Sequence, residues 1–263
     1  MKRLLISVSI AVLIFSVALV PAEAKTLAGI IKADKIVIGV KADYPPWSAI
    51  NEKSEFEGWE IDLCHKLAEY LFADPKKVEF VAVTPESRIK LLTSGKIDII
   101  WATMGITSAR AEKLQFSIPY FESGVRLLAR KGSGINSIYD LKGKNVITIK
   151  GTTGAQGLAE LVPGAKQIKF IKPYEALQAL RNGEGIAFAQ DDLFAFTMAL
   201  YNPDLEVVGE YFNTTDWGVG IRKGEDDIKA FVDVSLRLMY ELSLIHISEP
   251  TRLLRRSRMP SSA

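Results

Sequence analysis

An arginine follows a turn of small residues in the segment Ala102 to Arg110, ATMGITSAR. The apolar run at 97–101 predicts a buried strand before the turn, and Ser108 before Ala109 predicts a short helix with a hydroxyl cap. Backbone N–H groups exposed at such a turn, together with one guanidinium, suit a carboxylate. The alternative is a surface arginine on an ordinary strand-to-helix connection.

A second strand-to-helix turn has the sequence Gly151-Thr152-Thr153-Gly154 and is not a nucleotide-binding P-loop. Its amides also suit a carboxylate, with a simple helix cap as the alternative. Asp191 ends a later predicted strand, at the edge where open α/β sheets bind ligands. Capping of the next helix is the alternative role for this carboxylate. A cation and amides facing a carboxylate across a cleft predict a receptor for a zwitterion.

The loop Lys41 to Trp47, KADYPPW, carries two aromatic residues beside two prolines that fix the backbone. We expect Tyr44 and Trp47 to be half exposed, where an aromatic face can cover a ligand. The alternative is that both belong to the core.

The composition excludes several other classes of function. The histidines are His65 and His246; His65 adjoins Cys64 on a predicted helix, so the two side chains point in different directions. The sequence therefore contains no clear nucleophile–base pair, and no residues at metal-ligand spacing. We expect no catalytic residue, cofactor or metal, and a net charge of +2 gives no reason to expect nucleic acid. As the single cysteine, Cys64 is predicted to be a free, buried thiol.

The predicted strands and helices form two α/β units that must position these groups. The pattern predicts that the first unit resumes, with a strand at 217–222 and a helix from Asp226, after the second has finished. We therefore assign lobe 1 to residues 25–130 and 217–241 and lobe 2 to residues 131–216, inserted into lobe 1. Crossings near Ala129–Lys131 and Tyr211–Trp217 would form a hinge, and hinged lobes close around ligands.

We predict that the two ends of the chain do not belong to these lobes. Residues 1–24 combine a basic start, an uncharged stretch and Ala22-Glu23-Ala24, which predicts a signal peptide cut after Ala24, with a membrane anchor as the alternative. Residues 242–263 resemble translated sequencing-adapter read-through. We expect this tail not to be native, so that lobe 1 is truncated; a genuine basic tail is the alternative.

Several motifs together resemble a known family: KIVIGVKADYPPW, GWEIDL, SRIKLLTSGKIDIIWATMGITSAR, FSIPYF, DLKGKNVITIKGTTG and AFAQDD. Over residues 34–241 the chain is similar to the periplasmic amino-acid-binding proteins of ABC transporters, solute-binding protein family 3. The resemblance implies the two-lobed type II periplasmic-binding-protein fold. It also implies a monomer that captures a free polar amino acid in the periplasm and passes it to a membrane ABC permease.

The resemblance also implies roles for individual residues. Tyr44 would stack over the ligand with Trp47 in support, Arg110 would grip the α-carboxylate, and Asp191 would accept the α-ammonium. Further contacts are implied for backbone groups of Ala102, Thr103, Gly105, Thr153 and Gly154.

Two positions depart from the family pattern. Gly105 stands where relatives often have Ser or Thr, and Lys41 stands where many have Asp. A lysine at that position favours an acidic ligand, or it points to solvent. Ser87 and Gln190 are further candidates for contacts with the ligand side chain.

A periplasmic cyclohexadienyl (prephenate/arogenate) dehydratase on the same fold is the alternative function. It would need an acid–base pair in the cleft, for which Asp191 and Glu184 are the candidates without a clear assignment. A third alternative is the sensor domain of a signalling protein.

Overall fold

The structure, a computed structural model, describes residues 26–242. The predicted signal peptide and, apart from Leu242, the predicted tail lie outside the described residues. Within residues 26–242, no helix combines the length and the apolar character needed to cross a bilayer.

Strands and helices alternate along the described chain, as expected of an α/β protein. The helices are α1 (Leu27–Lys32), α2 (Trp59–Phe72), α3 (Arg88–Thr93), α4 (Ser108–Ala111), α5 (Thr153–Leu161), α6 (Pro173–Arg181), α7 (Asp192–Tyr201) and α8 (Asp226–Glu241). The strands are β1 (Ile36–Val40), β2 (Asp43–Tyr44), β3 (Ser48–Ile50), β4 (Phe56–Glu57), β5 (Val78–Ala82), β6 (Ile99–Ile100), β7 (Gln115–Phe116), β8 (Phe121–Arg130), β9 (Asn145–Ile149), β10 (Lys166–Phe170), β11 (Ala187–Asp191), β12 (Leu205–Trp217) and β13 (Gly220–Ile221).

Each lobe is built on a five-stranded sheet. The order is β5-β1-β6-β13-β7 in lobe 1 and β10-β9-β11-β8-β12 in lobe 2. Strand β13 thus returns to the inside of the first sheet after the chain has completed the second sheet. This order confirms the predicted fold, in which lobe 2 is inserted into lobe 1.

The parallel strands of each sheet bring distant loops to one edge. In lobe 1, β1 is parallel to β6, and in lobe 2, β9 is parallel to β11. Because parallel strands end at a common edge, the loop at Lys41 lies beside the turn at Ala102. For the same reason the turn at Thr152 lies beside Asp191.

The chain crosses between the lobes at the start of β8 and the end of β12. These strands pair antiparallel, with Phe121 opposite Trp217 and Arg130 opposite Leu205. Strand β8, assigned to lobe 1 from the sequence, therefore hydrogen-bonds within the lobe 2 sheet, between β11 and β12. Strand β12 is long because its later residues pair with the start of β8.

Aromatic side chains pack together where the two lobes join. The ring of Trp47 lies 4.5 Å from that of Phe121 and 4.9 Å from that of Trp217, between centroids. Trp47 is fully buried, so the prediction that it would be half exposed was wrong. Its ring is covered by the crossing strands, which lie far from the Pro-Pro loop in the sequence. The sequence of the loop alone therefore does not show that the ring is buried.

Candidate functional site

A cleft between the lobes contains about 210 Å³ of empty space, including space open to solvent. Its wall brings together residues that are far apart in the sequence: Lys41, Pro85, Arg88, Thr103, Gly105 and Arg110 from lobe 1, and Thr152, Thr153 and Asp191 from lobe 2. Six of these are residues singled out from the sequence, namely Lys41, Thr103, Gly105, Arg110, Thr153 and Asp191. The cleft is therefore the place where the predicted groups converge.

A larger and more open groove, of about 1150 Å³, runs along the crossing strands. Its charged lining residues are the carboxylates Glu122, Asp192 and Asp216. We take the smaller cleft as the candidate site, because, of these two, it is the one with cationic groups facing a carboxylate from the opposite lobe.

Arg110 bridges the two lobes. The side chain of Thr107, rather than Ser108, caps helix α4 by accepting the Arg110 amide. Nη1 of Arg110 donates to the Gly105 carbonyl at 2.6 Å, and Nη2 donates to the Gly151 carbonyl of lobe 2 at 2.9 Å. Burial lowers the pKa of the guanidinium, and the charge of Asp191 acts in the opposite direction. The cation thus lies at the boundary of the lobes within the field of the carboxylate.

Asp191 presents its carboxylate to the other lobe. Oδ2 accepts a hydrogen bond from the Tyr44 hydroxyl at 2.8 Å, and the side chain makes no capping bond to helix α7. The neighbouring Asp192 accepts the amide of Leu193 instead. Burial raises the pKa of Asp191, while the charge of Lys41 and the Tyr44 hydrogen bond lower it. Asp191 is therefore available for a cation in the cleft.

The ring of Tyr44 is enclosed on both faces. Phe194 of lobe 2 stacks on it at 4.9 Å between centroids, and Nζ of Lys41 lies 3.4 Å from its centroid. Tyr44 is fully buried, so the expectation of a half-exposed ring was wrong, because Phe194 covers it. Burial lowers the pKa of Lys41 to about 8, against the opposing effect of Asp191.

The turn of lobe 2 supplies free helix-terminal amides. Thr152 caps α5, and its hydroxyl accepts the Ala155 amide at 3.3 Å. Thr153 and Gly154 are then the first helical residues, whose N–H groups have no partner within the helix. A Cβ on Gly154 would lie 2.9 Å from the Ala189 carbonyl oxygen, so the close approach of α5 to β11 requires glycine.

Backbone groups of the lobe 1 turn already carry hydrogen bonds. The Ala102 carbonyl accepts from Arg88, the Thr103 amide donates to Glu60, and the Gly105 carbonyl accepts from Arg110. The groups that the resemblance assigned to the ligand are thus partly engaged by the protein itself.

Six of the predicted residues are not part of the cleft wall: Tyr44, Ala102 and Gly154, described above, and Trp47, Ser87 and Gln190. Trp47 belongs to the aromatic cluster at the lobe junction. The Ser87 hydroxyl bonds with Thr84, and the side chain of Gln190 accepts the amide of Asp191. In this arrangement, the side-chain hydrogen bonds of Ser87 and Gln190 are made within the protein.

Sequence reasoning missed two buried charged residues, Glu60 and Arg88. They are 0% and 2% exposed. Burial is the main cause that lowers the pKa of Arg88 to about 9. A signal was present: Glu60 lies three and seven residues before the buried Leu63 and Leu67, and Arg88 lies four residues before the buried Leu92. A charge on the apolar face of a helix indicates a buried polar contact.

Comparisons with known proteins agree with this architecture. The family of bacterial extracellular solute-binding proteins, family 3, matches residues 36–247. The chain is 38% identical to the ABC transporter glutamine-binding protein GlnH of Bacillus subtilis, over 81% of this chain and 79% of that one. It is also 38% identical to a glutamine-binding protein of Geobacillus stearothermophilus, over 77% and 78% of the two chains.

A solved structure shares the fold. The solute receptor for L-cysteine of Neisseria gonorrhoeae superposes with a TM-score of 0.83 at 28% identity, covering 90% of this chain and 94% of that one.

The dehydratase alternative is not favoured. The curated relatives described above are transport binding proteins. Glu184, one candidate for the acid–base pair, is exposed and is not part of the cleft wall. On the fold, the cleft and these relatives, the chain belongs to family 3 of the bacterial extracellular solute-binding proteins.

Proposed function

We propose that the protein captures a polar amino acid between its lobes and delivers it to an ABC-transporter permease. The observation that carries this proposal is the placement of Arg110 and Asp191, which come from opposite lobes and line one cleft. A zwitterion bound there would satisfy both charges and draw the lobes together. Residues 121–217 would then move as lobe 2, with the hinge where the chain enters β8 and leaves β12.

In the proposed complex, the α-carboxylate replaces the Gly151 carbonyl as the partner of Arg110. The amides of Thr153 and Gly154 add donors from lobe 2, and Asp191 accepts the α-ammonium. Charge-assisted hydrogen bonds contribute roughly 1.5–3 kcal/mol each. Several of them, less the cost of immobilising the ligand, support a Kd of about 1 μM, or about −8 kcal/mol.

Tyr44 and Lys41 remain part of the proposal, with altered roles. Since both faces of the Tyr44 ring are covered, stacking of a ligand on this ring requires Lys41 or Phe194 to move. Trp47 supports the loop from the core, and Ser87 and Gln190 act only if their present hydrogen bonds break.

The charges of the cleft favour a ligand whose side chain accepts hydrogen bonds. Lys41, Arg88 and Arg110 face a single lining carboxylate, Asp191. The α-groups of an amino acid use one cation and the carboxylate, which leaves an excess of positive charge for the side chain. Such a site disfavours arginine or lysine and suits the amide of glutamine or the carboxylate of glutamate. The glutamine-binding relatives make glutamine the first ligand to test.

The remaining aspects of transport follow from the family. An extracellular solute-binding protein acts outside the cytoplasm. We propose that residues 1–24 direct export to the periplasm with cleavage after Ala24, and that the protein binds ligand as a monomer before docking on its permease.

Isothermal titration with glutamine, glutamate, aspartate, arginine and cystine tests the proposal. We expect glutamine or glutamate to bind, arginine to bind much more weakly, and Arg110→Ala to abolish binding while the protein stays folded. Arg126→Ala is the matched control, because Arg126 is also partly buried and donates to a backbone carbonyl, that of Gly209, outside the cleft wall. If Arg110→Ala bound the amino acid with the same affinity as the wild type, the proposal would be wrong.

A further inference from the structure

One peptide unit in the floor of the cleft is held at both ends by buried charges. Nη1 of Arg88 donates to the carbonyl oxygen of Ala102 at 2.6 Å. The amide of Thr103, in the same planar peptide unit, donates to Oε1 of Glu60 at 2.8 Å. Arginine and glutamate thus hold the carbonyl and the N–H of a single peptide group.

This peptide leads into an uncommon backbone conformation. Thr103 has a φ of 44°, in the left-handed region that a β-branched residue rarely adopts. Such a conformation costs roughly 1–3 kcal/mol and persists only where surrounding contacts enforce it. The bonds from Arg88 and Glu60 are those contacts, because they orient the peptide immediately before the Thr103 Cα.

Glu60 is placed to act on the site without touching a ligand. It is fully buried at the start of α2 and is not part of the cleft wall. The Tyr120 hydroxyl also donates to its Oε1, at 2.5 Å, which fixes the carboxylate from a second side. An effect of Glu60 on ligand affinity therefore passes through the groups that it holds or through the field of its charge, which acts on Lys41 and Arg88.

Thr103 offers the cleft a different polar group from its amide. Its N–H is occupied by Glu60, whereas its hydroxyl is buried and has no hydrogen-bond partner within residues 26–242. Thr103 lines the cleft beside Gly105 and Arg110. A buried hydroxyl without a partner costs free energy, which a ligand would recover by bonding to it.

We propose that Glu60 and Arg88 are positioning residues that lock the Ala102–Thr103 peptide, so that Thr103 binds the amino acid through its hydroxyl and not through its amide. The inference rests on the proposed function, since it assigns contacts within that same site. It replaces the backbone contact expected at Thr103 with a side-chain contact, and it gives the buried acid of α2 a role in recognition.

Titration of L-glutamine, or of the tightest binder in the amino-acid panel, into the full-length variants tests this. Thr103→Val keeps the shape and branching but removes the hydroxyl, and we expect it to raise Kd roughly 10- to 100-fold. Thr103→Ser should restore most of the affinity. We expect Glu60→Ala to raise Kd by a similar factor and Glu60→Gln, which keeps an acceptor oxygen, to rescue much of it.

The effects of substitutions at Glu60 and Thr103 on Kd should also be coupled. Because Glu60 acts through Thr103, the loss in the double variant Glu60→Ala/Thr103→Val should be smaller than the product of the single losses. Glu225→Ala is the matched control for buried charge: Glu225 is 1% exposed, pairs with Arg222 at 2.6 Å and is not part of the cleft wall. It should lower the melting temperature without changing Kd.

Three outcomes would overturn the inference. Wild-type affinity in Glu60→Ala with a lowered melting temperature would make Glu60 purely structural. Wild-type affinity in Thr103→Val, a variant that keeps the backbone contacts, would remove the hydroxyl from recognition. If the wild-type protein bound no amino acid, the proposed function would fall and the inference with it, an outcome distinct from the first two.

Discussion

The hydroxyl of Tyr44 donates a hydrogen bond to Oδ2 of Asp191 at 2.8 Å, joining lobe 1 to lobe 2 beside the cleft. Both residues are buried, at 0% and 7% exposure. A bond to a carboxylate in such surroundings holds lobe 1 against lobe 2. The same carboxylate is the proposed acceptor for the ligand ammonium.

The Tyr44–Asp191 bond predicts the behaviour of Tyr44→Phe. Loss of the hydroxyl leaves Asp191 without this donor and should cost about 1.5–3 kcal/mol, lowering Tm by several degrees. We also expect the ligand-free variant to have a larger radius of gyration in small-angle X-ray scattering, since one link between the lobes is lost. Tyr139→Phe, at an exposed ring of lobe 2, should match the wild type. Identical scattering and Tm for Tyr44→Phe would contradict the prediction.

The lowered pKa of Lys41 should make the free energy of unfolding depend on pH. Burial lowers its pKa to about 8 from 10.5, so between these values the unfolded chain holds more protons than the folded one. The cost of burying the ammonium is therefore fully present below pH 8 and is relieved as the pH rises towards 10.5. The change amounts to at most roughly 3 kcal/mol.

Urea unfolding of the wild type and of Lys41→Met across this pH range measures the effect. The variant lacks the titrating group, so its free energy of unfolding should rise less with pH than that of the wild type. Lys53→Met, at an exposed loop position, should follow the wild-type curve. Parallel curves for the wild type and Lys41→Met would show that Lys41 is not buried as a cation.

We predict that a methyl group added at Gly105, in the variant Gly105→Ala, clashes with its neighbours. A Cβ there would lie 2.6 Å from Oγ1 of Thr215 and 3.2 Å from Cγ2 of Thr153. Thr215 belongs to the crossing strand β12 and Thr153 to lobe 2, so Gly105→Ala should oppose closure. We expect a loss of stability of about 1–3 kcal/mol and weaker ligand binding.

A second substitution checks this explanation. Thr215→Ala removes the nearest clashing atom, so the double variant Gly105→Ala/Thr215→Ala should recover part of the loss seen in thermal unfolding. Gly29→Ala is the control, because a Cβ on Gly29 meets its nearest neighbour at an ordinary 3.5 Å. If the double variant were no more stable than Gly105→Ala, the Thr215 contact would not be the cause.

We predict that the thiol of Cys64 is unreactive in the native protein. It is fully buried in α2, and burial raises its pKa well above the ordinary value for cysteine. The native protein should therefore resist Ellman's reagent, and denaturant should release its single thiol. Ser94→Cys, at an exposed position, should react at once in the native state. Rapid labelling of the native wild type would indicate that the core around α2 opens readily.

Local sequence patterns predicted several of the residues that line the cleft, because these residues lie at the ends of strands. Arg110, Thr153 and Asp191 each follow or end an apolar run, and parallel sheets bring such ends to one edge. Glu60 and Arg88 escaped notice because they sit within helices, where a charge is ordinarily solvent-facing. Only the register of the helices against the sheet shows that these charges face the interior.

The sequence by itself determined the α/β alternation, the insertion of one lobe into the other and the identities of the groups that meet in the cleft. Hydrophobic periodicity and turn residues are local properties, so they can be recognised from the sequence alone. Tertiary structure decided the burial of Tyr44, the assignment of β8 to the second sheet and the clamping of the Ala102–Thr103 peptide. Each depends on a contact between residues far apart in sequence, and such contacts form only when the sheets and lobes pack.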